Sequence, residues 1–346
     1  MAERIVYHNP DHVKHPGWID NEGKQWDVPE RLFPVIDALL SDDSSQTEWM
    51  TVPEFHEETL DLITKVHSTE MIEAIARASE LATADKPEKT DYDKGASTEA
   101  SAIYPGTFEQ ALMSAECAAL AADSLTSGQT DLAVTVSRPP GHHAGREFYH
   151  GFCYFNPAAV AAEAIKESGK KVAILDFDIH HGDGTQDIFY DDPQVMYASL
   201  HADPDIVMPG TGHATEKGSC NNVVNVPLPI GVDATTYFQL FDEVIGRIRS
   251  FNPDILIVEA GFDGHKDEFT DLPPITQLGD EEYFKIGRKI SEMNIPSLVI
   301  FGGGYNQDVT SHAFLSYMMG MNSNRQSKSD TELYSPDTVI KGKDNN

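Results

Sequence analysis

The segment Val172-Ala-Ile-Leu-Asp-Phe-Asp-Ile-His-His-Gly-Asp-Gly-Thr185 decides how this chain is read. It opens on an apolar run and closes on clustered acids and histidines, as a buried strand does when it carries functional groups to its carboxyl end. Asp178 and His180 stand two residues apart, so on an extended backbone both project from one face and offer two ligands to one ion. Alone, such a pair is equally well explained by helix caps or buried ion pairs. Its place at a strand end, and Asp263 far downstream, favour a metal.

Outward from this segment, short apolar runs alternate with helical stretches. Strands are expected at Leu132–Val136, Val172–Asp176, Val195–Leu200, Ile255–Glu259 and Leu298–Phe301. Helices are expected at Phe108–Leu125, Pro157–Ser168, Ala234–Ser250 and Asp280–Met293. Nearly continuous apolar strands separated by helices predict an α/β fold with a central, mainly parallel sheet flanked by helices. Ligands of such sheets lie beyond the strand carboxyl ends. The polar clusters obey this rule: Arg138-Pro-Pro-Gly-His-His143, His201-Ala-Asp203, Ala260-Gly-Phe-Asp263 and Gly302-Gly-Gly-Tyr305 each follow a strand.

The chemistry follows from residue type. Asp178, His180 and Asp263 supply three ligands and leave a coordination position open, the mark of a catalytic divalent ion. His142 and His143 follow a stiff Pro-Pro-Gly turn. With different partners they acquire different pKa values, giving one base and one acid or electrostatic partner. Asp176 and Asp183 are placed to accept from their far ring nitrogens. Tyr305, after three glycines that permit close backbone approach, can donate to a developing oxyanion.

Composition sets limits. The 346 residues are 40% hydrophobic, enough for one large core. With 56 acidic against 25 basic side chains the formal charge is −31, which excludes nucleic-acid binding through phosphates. Most of this charge reads as a hydrated acidic surface, as in a saline cytoplasm; it would also steer a cationic substrate. No apolar run is long enough to cross a bilayer, and Met1–Tyr7 lacks a signal-peptide pattern, so cytoplasmic residence without a membrane partner is expected. The three cysteines lack CxxC spacing and form neither a disulfide framework nor a zinc site; Cys153 is expected to pack in the core.

Together with Gly151-Phe-Cys-Tyr-Phe-Asn156, these motifs resemble the histone deacetylase and acetylpolyamine amidohydrolase superfamily. The likeness runs from Pro29-Glu-Arg-Leu32 to about Met321 and implies an arginase/deacetylase-like single domain over residues 1–322, with a polar tail at 323–346. It implies zinc held by Asp178, His180 and Asp263, with iron or cobalt acceptable to the same ligands. Two residues beyond His180 stands Gly182, which cannot ligate, so one metal is expected rather than the arginase pair. The likeness also implies His142, His143 and Tyr305 as the catalytic groups. A structural potassium ion would use the side chains of Asp176 and Ser199 and backbone oxygens of Asp178, His180 and Leu200. Phe152 beside Gly151 would form one tunnel wall, with Met208 where relatives carry an aromatic residue. The expected activity is removal of acetyl groups from small cationic amines, acetylpolyamines first. Alternatives are a protein lysine deacetylase and a non-catalytic binder of acetylated ligands. Glu268, Asp91, Asp93 or Glu99 could meet a distal ammonium, though each taken singly reads as a solvated surface charge, and a homodimer would narrow the pocket.

Overall fold

The apolar runs become strands of one sheet. The computed structural model describes residues 4–18, 26–42, 46–95, 101–268 and 274–323. Its strands are β1 (Arg4–His8), β2 (Thr47–Thr51), β3 (Leu132–Val136), β4 (Val172–Asp176), β5 (Val195–Ala202), β6 (Val223–Leu228), β7 (Ile255–Ala260) and β8 (Ser297–Phe301). They lie in the order β2-β1-β3-β8-β7-β4-β5-β6, and every neighbouring pair is parallel. The helices are α1 (Leu32–Leu40), α2 (Glu57–Val66), α3 (Thr69–Leu81), α4 (Thr107–Thr126), α5 (Pro157–Glu167), α6 (Asp183–Phe189), α7 (Ala234–Phe251), α8 (Asp280–Ser291) and α9 (Gln307–Asn322).

Strand pleating divides the core into two layers. Ala133, Ile174, Tyr197, Ile257 and Leu298 face the side covered by α2, α3, α4 and α5. Val134, Leu175, Ala198, Val258 and Val299 face the side covered by α1, α7, α8 and α9. Burial on both faces explains why the inner strands read as unbroken apolar runs. Cys117 and Cys153 are buried thiols and Cys220 is exposed. No helix among the described residues is long and apolar enough to cross a membrane.

The strand order has one consequence for function. β3, β8, β7 and β4 are consecutive across the sheet. At about 4.8 Å between strands, their carboxyl ends lie within about 15 Å of one another. Motifs far apart in sequence therefore share one rim.

A buried ionic frame braces that rim from the N-terminal side. Arg138, at the end of β3, grips Asp27 through Nε–Oδ1 at 3.0 Å and Nη2–Oδ2 at 2.9 Å. Arg31 pairs with the same carboxylate and donates to the carbonyls of Gly304, at 2.6 Å, and Gly302, at 2.8 Å. Burial alone would raise the Asp27 pKa, but Arg138 and Arg31 outweigh it and hold it at about 2. This lies below the ordinary value of about 3.9, so the pair stabilises the fold above pH 4 and loses that contribution as pH falls toward 2. Asp27→Asn is expected to cost about 3–5 kcal/mol at neutral pH, because it strands two buried guanidinium groups. Its stability should then fall less steeply than the parent's between pH 4 and 2 in denaturant titrations; parallel curves would refute the assignment.

Candidate active site

Each side chain at the rim is positioned by a strand end. Immediately after β4, Asp178 and His180 turn toward Asp263, which follows β7. His180 Nδ1 lies 2.9 Å from Asp263 Oδ2 and 3.3 Å from Asp178 Oδ1. One donor atom from each of the three residues lies within 4.8 Å of the others. The loop after β8 closes over them, and Gly303 donates its N–H to Asp178 Oδ2 at 3.0 Å. A Cβ on Gly303 would stand 2.7 Å from Asp263 Oδ2, so only glycine lets the backbone pass this close.

The donor set fits a divalent cation. Two enclosed carboxylates converge with a partly exposed imidazole, and buried carboxylate charge requires a counter-charge. In the protein alone the histidines supply it. Burial opposes protonation of His180, yet Asp178 and Asp263 raise its pKa to about 10. Asp178 is held far below the carboxylate range; burial opposes this, and His142 and His180 overcome it.

The two expected catalytic histidines lie side by side, ring centroids 4.0 Å apart, each backed by its own carboxylate. His142 Nδ1 is 3.1 Å from Asp176 Oδ2, and His143 Nδ1 is 2.7 Å from Asp183 Oδ1. A carboxylate only accepts, so both rings carry a proton on Nδ1 and leave Nε2 for chemistry. Their pKa values diverge. For His142, burial is outweighed by Asp178 and Asp176, which hold it well above the ordinary value. For His143, burial acts with His142 and His150 to hold it well below. Beside Asp176 in the sheet register lies Glu259, where burial and the Asp176 charge push the carboxyl up to about 8.

Tyr305 is buried, its ring 5.6 Å from Phe152 and 5.4 Å from Trp26, with the Arg31 guanidinium 4.6 Å from its centre. Trp18 lies 6.1 Å from both Trp26 and Phe152. Burial raises the Tyr305 pKa well above normal, aided by Asp263 and Asp178 against Arg31, so the hydroxyl keeps its proton.

The remaining expected residues take varied places. Asp176 accepts from Asp178 N–H at 3.0 Å, from His142 and from the Tyr197 hydroxyl at 2.9 Å. Ser199 Oγ pairs with His201 Nδ1 at 2.8 Å, and Leu200 is buried on the α7 side of the sheet. Phe152 and Gly151 stand beside Tyr305 and His143, whereas Met208 is 41% exposed. Asp93 is half-buried and accepts from Gly95 N–H at 2.9 Å, while Asp91 is exposed. Glu99 and the tail beyond Ser323 lie outside the described residues.

Glu268 corrects the sequence reading. It is not a rim charge for a distal ammonium but a buried clamp, accepting from Tyr305 N–H at 2.9 Å, Asn306 N–H at 2.7 Å and the Thr310 hydroxyl at 3.3 Å. Its negative charge also suits the N-terminus of α9. Sequence reasoning also missed Trp18, Trp26, Asp27, Arg31 and His150. Of these, Arg31 lies in Pro29-Glu-Arg-Leu32, where the family likeness begins. Glu268→Ala is expected to lower stability by about 2 kcal/mol and to speed amide exchange at Tyr305 and Asn306, with Glu268→Gln recovering part of both. Unchanged exchange in the alanine variant would remove the clamp role.

A profile of the histone deacetylase domain matches residues 26–321, and the chain belongs to the histone deacetylase family. Acetylpolyamine amidohydrolase 1 of Pseudomonas aeruginosa is 39% identical over 212 residues, 59% of this chain and 59% of that protein. The chain thus spans about three-fifths of the length of the acetylpolyamine amidohydrolases it matches. A probable deacetylase of Methanothermobacter thermautotrophicus is 32% identical over 351 residues, covering 98% of this chain and 94% of that one. The acetylpolyamine aminohydrolase structure from Burkholderia pseudomallei superposes with a TM-score of 0.79 at 27% identity, over 93% of this chain and 99% of that chain.

Proposed function

We propose that this protein is a metal-dependent amidohydrolase that removes acetyl groups from small acetylated amines, acetylpolyamines first. The observation that carries the reading is the paired His142–Asp176 and His143–Asp183 couples beside the Asp178, His180 and Asp263 donors. A binding protein has no need of a proton acceptor, a charged imidazole and a buried phenol together. The relatives named acetylpolyamine amidohydrolases support the choice of substrate.

Asp178, His180 and Asp263 would hold the ion, zinc by preference. Bound there, a divalent ion supplies Lewis acidity toward water and the amide carbonyl. His143, uncharged at rest, takes the proton of the attacking water at Nε2. A C–O bond forms at the acetyl carbon, the C–N bond breaks, and His143 returns the proton to the departing amine. His142 holds positive charge nearby, and the Tyr305 hydroxyl donates to the carbonyl oxygen as it gains charge. Trp18, Trp26, Phe152 and Tyr305 would enclose a slender alkyl chain and exclude bulk water. In this reading Asp176 and Ser199 side chains, with backbone oxygens of Asp178, His180 and Leu200, take a structural potassium ion.

Acetate release should be measured on acetylputrescine, acetylcadaverine, acetylspermidine and acetyl-lysine peptides, with and without chelator. The expected result is chelator-sensitive turnover favouring the acetylpolyamines. Preference for the peptides would instead assign a protein lysine deacetylase, and no release from any metal-loaded sample would assign a binding protein. Tyr305→Phe should keep its metal and lose about 10²-fold in kcat; near-parental turnover would remove its role. Asp178→Ala should lose the metal by elemental analysis.

A further inference from the structure

We propose that His150 is a positioning residue that fixes the His143–Asp183 couple, an inference resting on the hydrolase reading above. The Asp183 carboxylate is held from both sides. Oδ1 faces His143 Nδ1 and Oδ2 faces His150 Nε2, each at 2.7 Å. Since a carboxylate only accepts, both imidazoles donate, and Asp183 cannot rotate without losing a charge-assisted hydrogen bond. The rings of His143 and His150 also stack, with centroids 4.5 Å apart and planes inclined by 27°.

The chain wraps His143 to achieve this. Gly151 has φ +55°, and a Cβ there would meet His143 Cδ2 at 2.6 Å. Phe152 follows with φ +68°, a conformation that costs a bulky residue energy. Two contacts pin the turn: Cys153 N–H to the His150 carbonyl at 2.9 Å, and Phe152 N–H to Ser101 Oγ at 3.1 Å. His150 itself is 4% exposed, and its Nδ1 has no hydrogen-bond partner among the described residues. The Asp183 contact is thus the one polar bond of its ring. A buried histidine with a free ring nitrogen is poorly explained as core filling, where an apolar ring would pack without that penalty. As a second donor to Asp183 it keeps His143 protonated on Nδ1 and its Nε2 available to the reaction.

His150→Phe retains a stacking ring and removes the donor; His150→Gln retains a donor and removes the stack. In the metal-loaded enzyme, His150→Phe is expected to lower kcat about tenfold with KM and metal content unchanged. Its acid limb of kcat should move to higher pH, because an Asp183 freed of one donor is more basic and favours protonated His143. The glutamine variant should restore most of the rate. Independently of turnover, proton NMR of the parent should show a protected, downfield His143 Nδ1–H signal that broadens or exchanges in His150→Phe. Parental kcat, acid limb and NMR signal in that variant would overturn the proposal, as would a glutamine variant no better than phenylalanine. Two metal equivalents in the parent and one in His150→Phe would also overturn it, by making His150 a ligand. If no acetylated amine is turned over at all, the hydrolase reading fails while the NMR comparison still decides the role of His150.

Discussion

The structure is organised around acidic groups that water cannot reach. Asp176, Asp178 and Glu259 are buried at the carboxyl ends of two neighbouring strands, with Asp183 and Asp263 beside them. Taking a carboxylate out of water costs several kcal/mol unless it is paired and hydrogen-bonded. Nearly every polar contact at the rim answers that cost. His142 and His180 face the acids, Tyr197 and the Asp178 and Gly303 amides donate to them, and His143 and His150 share Asp183. Among the described residues Glu259 has no such partner on Oε1, and burial drives it to retain a proton near neutrality. Asp178, His180 and Asp263 together, more than any one of them, form a donor set that fits a cation.

The sequence was most legible where the physics is most local. β3 and β4 fall on their expected residues because strands buried on both faces must be apolar throughout. Edge strands lack that signature. β2 alternates partly buried and exposed positions and β6 contains Pro227, while β1, inside the sheet, begins at Arg4, whose guanidinium is buried against Asp42 and Thr47. The amphipathic helices α1 to α3 of the N-terminal third and the short α6 stand outside the expected set, whereas α9 falls where the likeness implies a helix near Met321. Motif histidines were found because they follow strands. His150 was not, because it reaches Asp183 only through the turn at Gly151, and nothing in sequence announces a positive φ that closes on another ring. Glu268 was misread because the residues around it are polar, although three donors converge on its carboxylate.

The two ionic devices at the rim act at different depths. Asp27, Arg31 and Arg138 are wholly enclosed, and Arg31 holds the carbonyls of Gly302 and Gly304 on the loop that carries Tyr305. Glu268 holds the N–H groups of Tyr305 and Asn306 that follow. The glycine loop is therefore fixed by acceptors and donors of opposite sign at its two ends. Backbone freedom, needed where Gly303 passes the carboxylates, is thereby confined to one geometry. A phenol on such a loop is pre-organised, and a pre-organised donor loses little in reorganisation when charge develops opposite it.

The formal charge of −31 bears on rate more than on selectivity. A diffuse negative field draws any cation toward the surface and raises encounter rates at low salt, without distinguishing a polyamine from a lysine side chain. Selection must come from groups that touch the ligand after encounter. The rings of Trp18, Trp26, Phe152 and Tyr305 form a connected aromatic wall, and such faces accept both methylene chains and alkylammonium groups. Under the proposed reading, a slender aliphatic cation is the ligand that would use both properties of that wall.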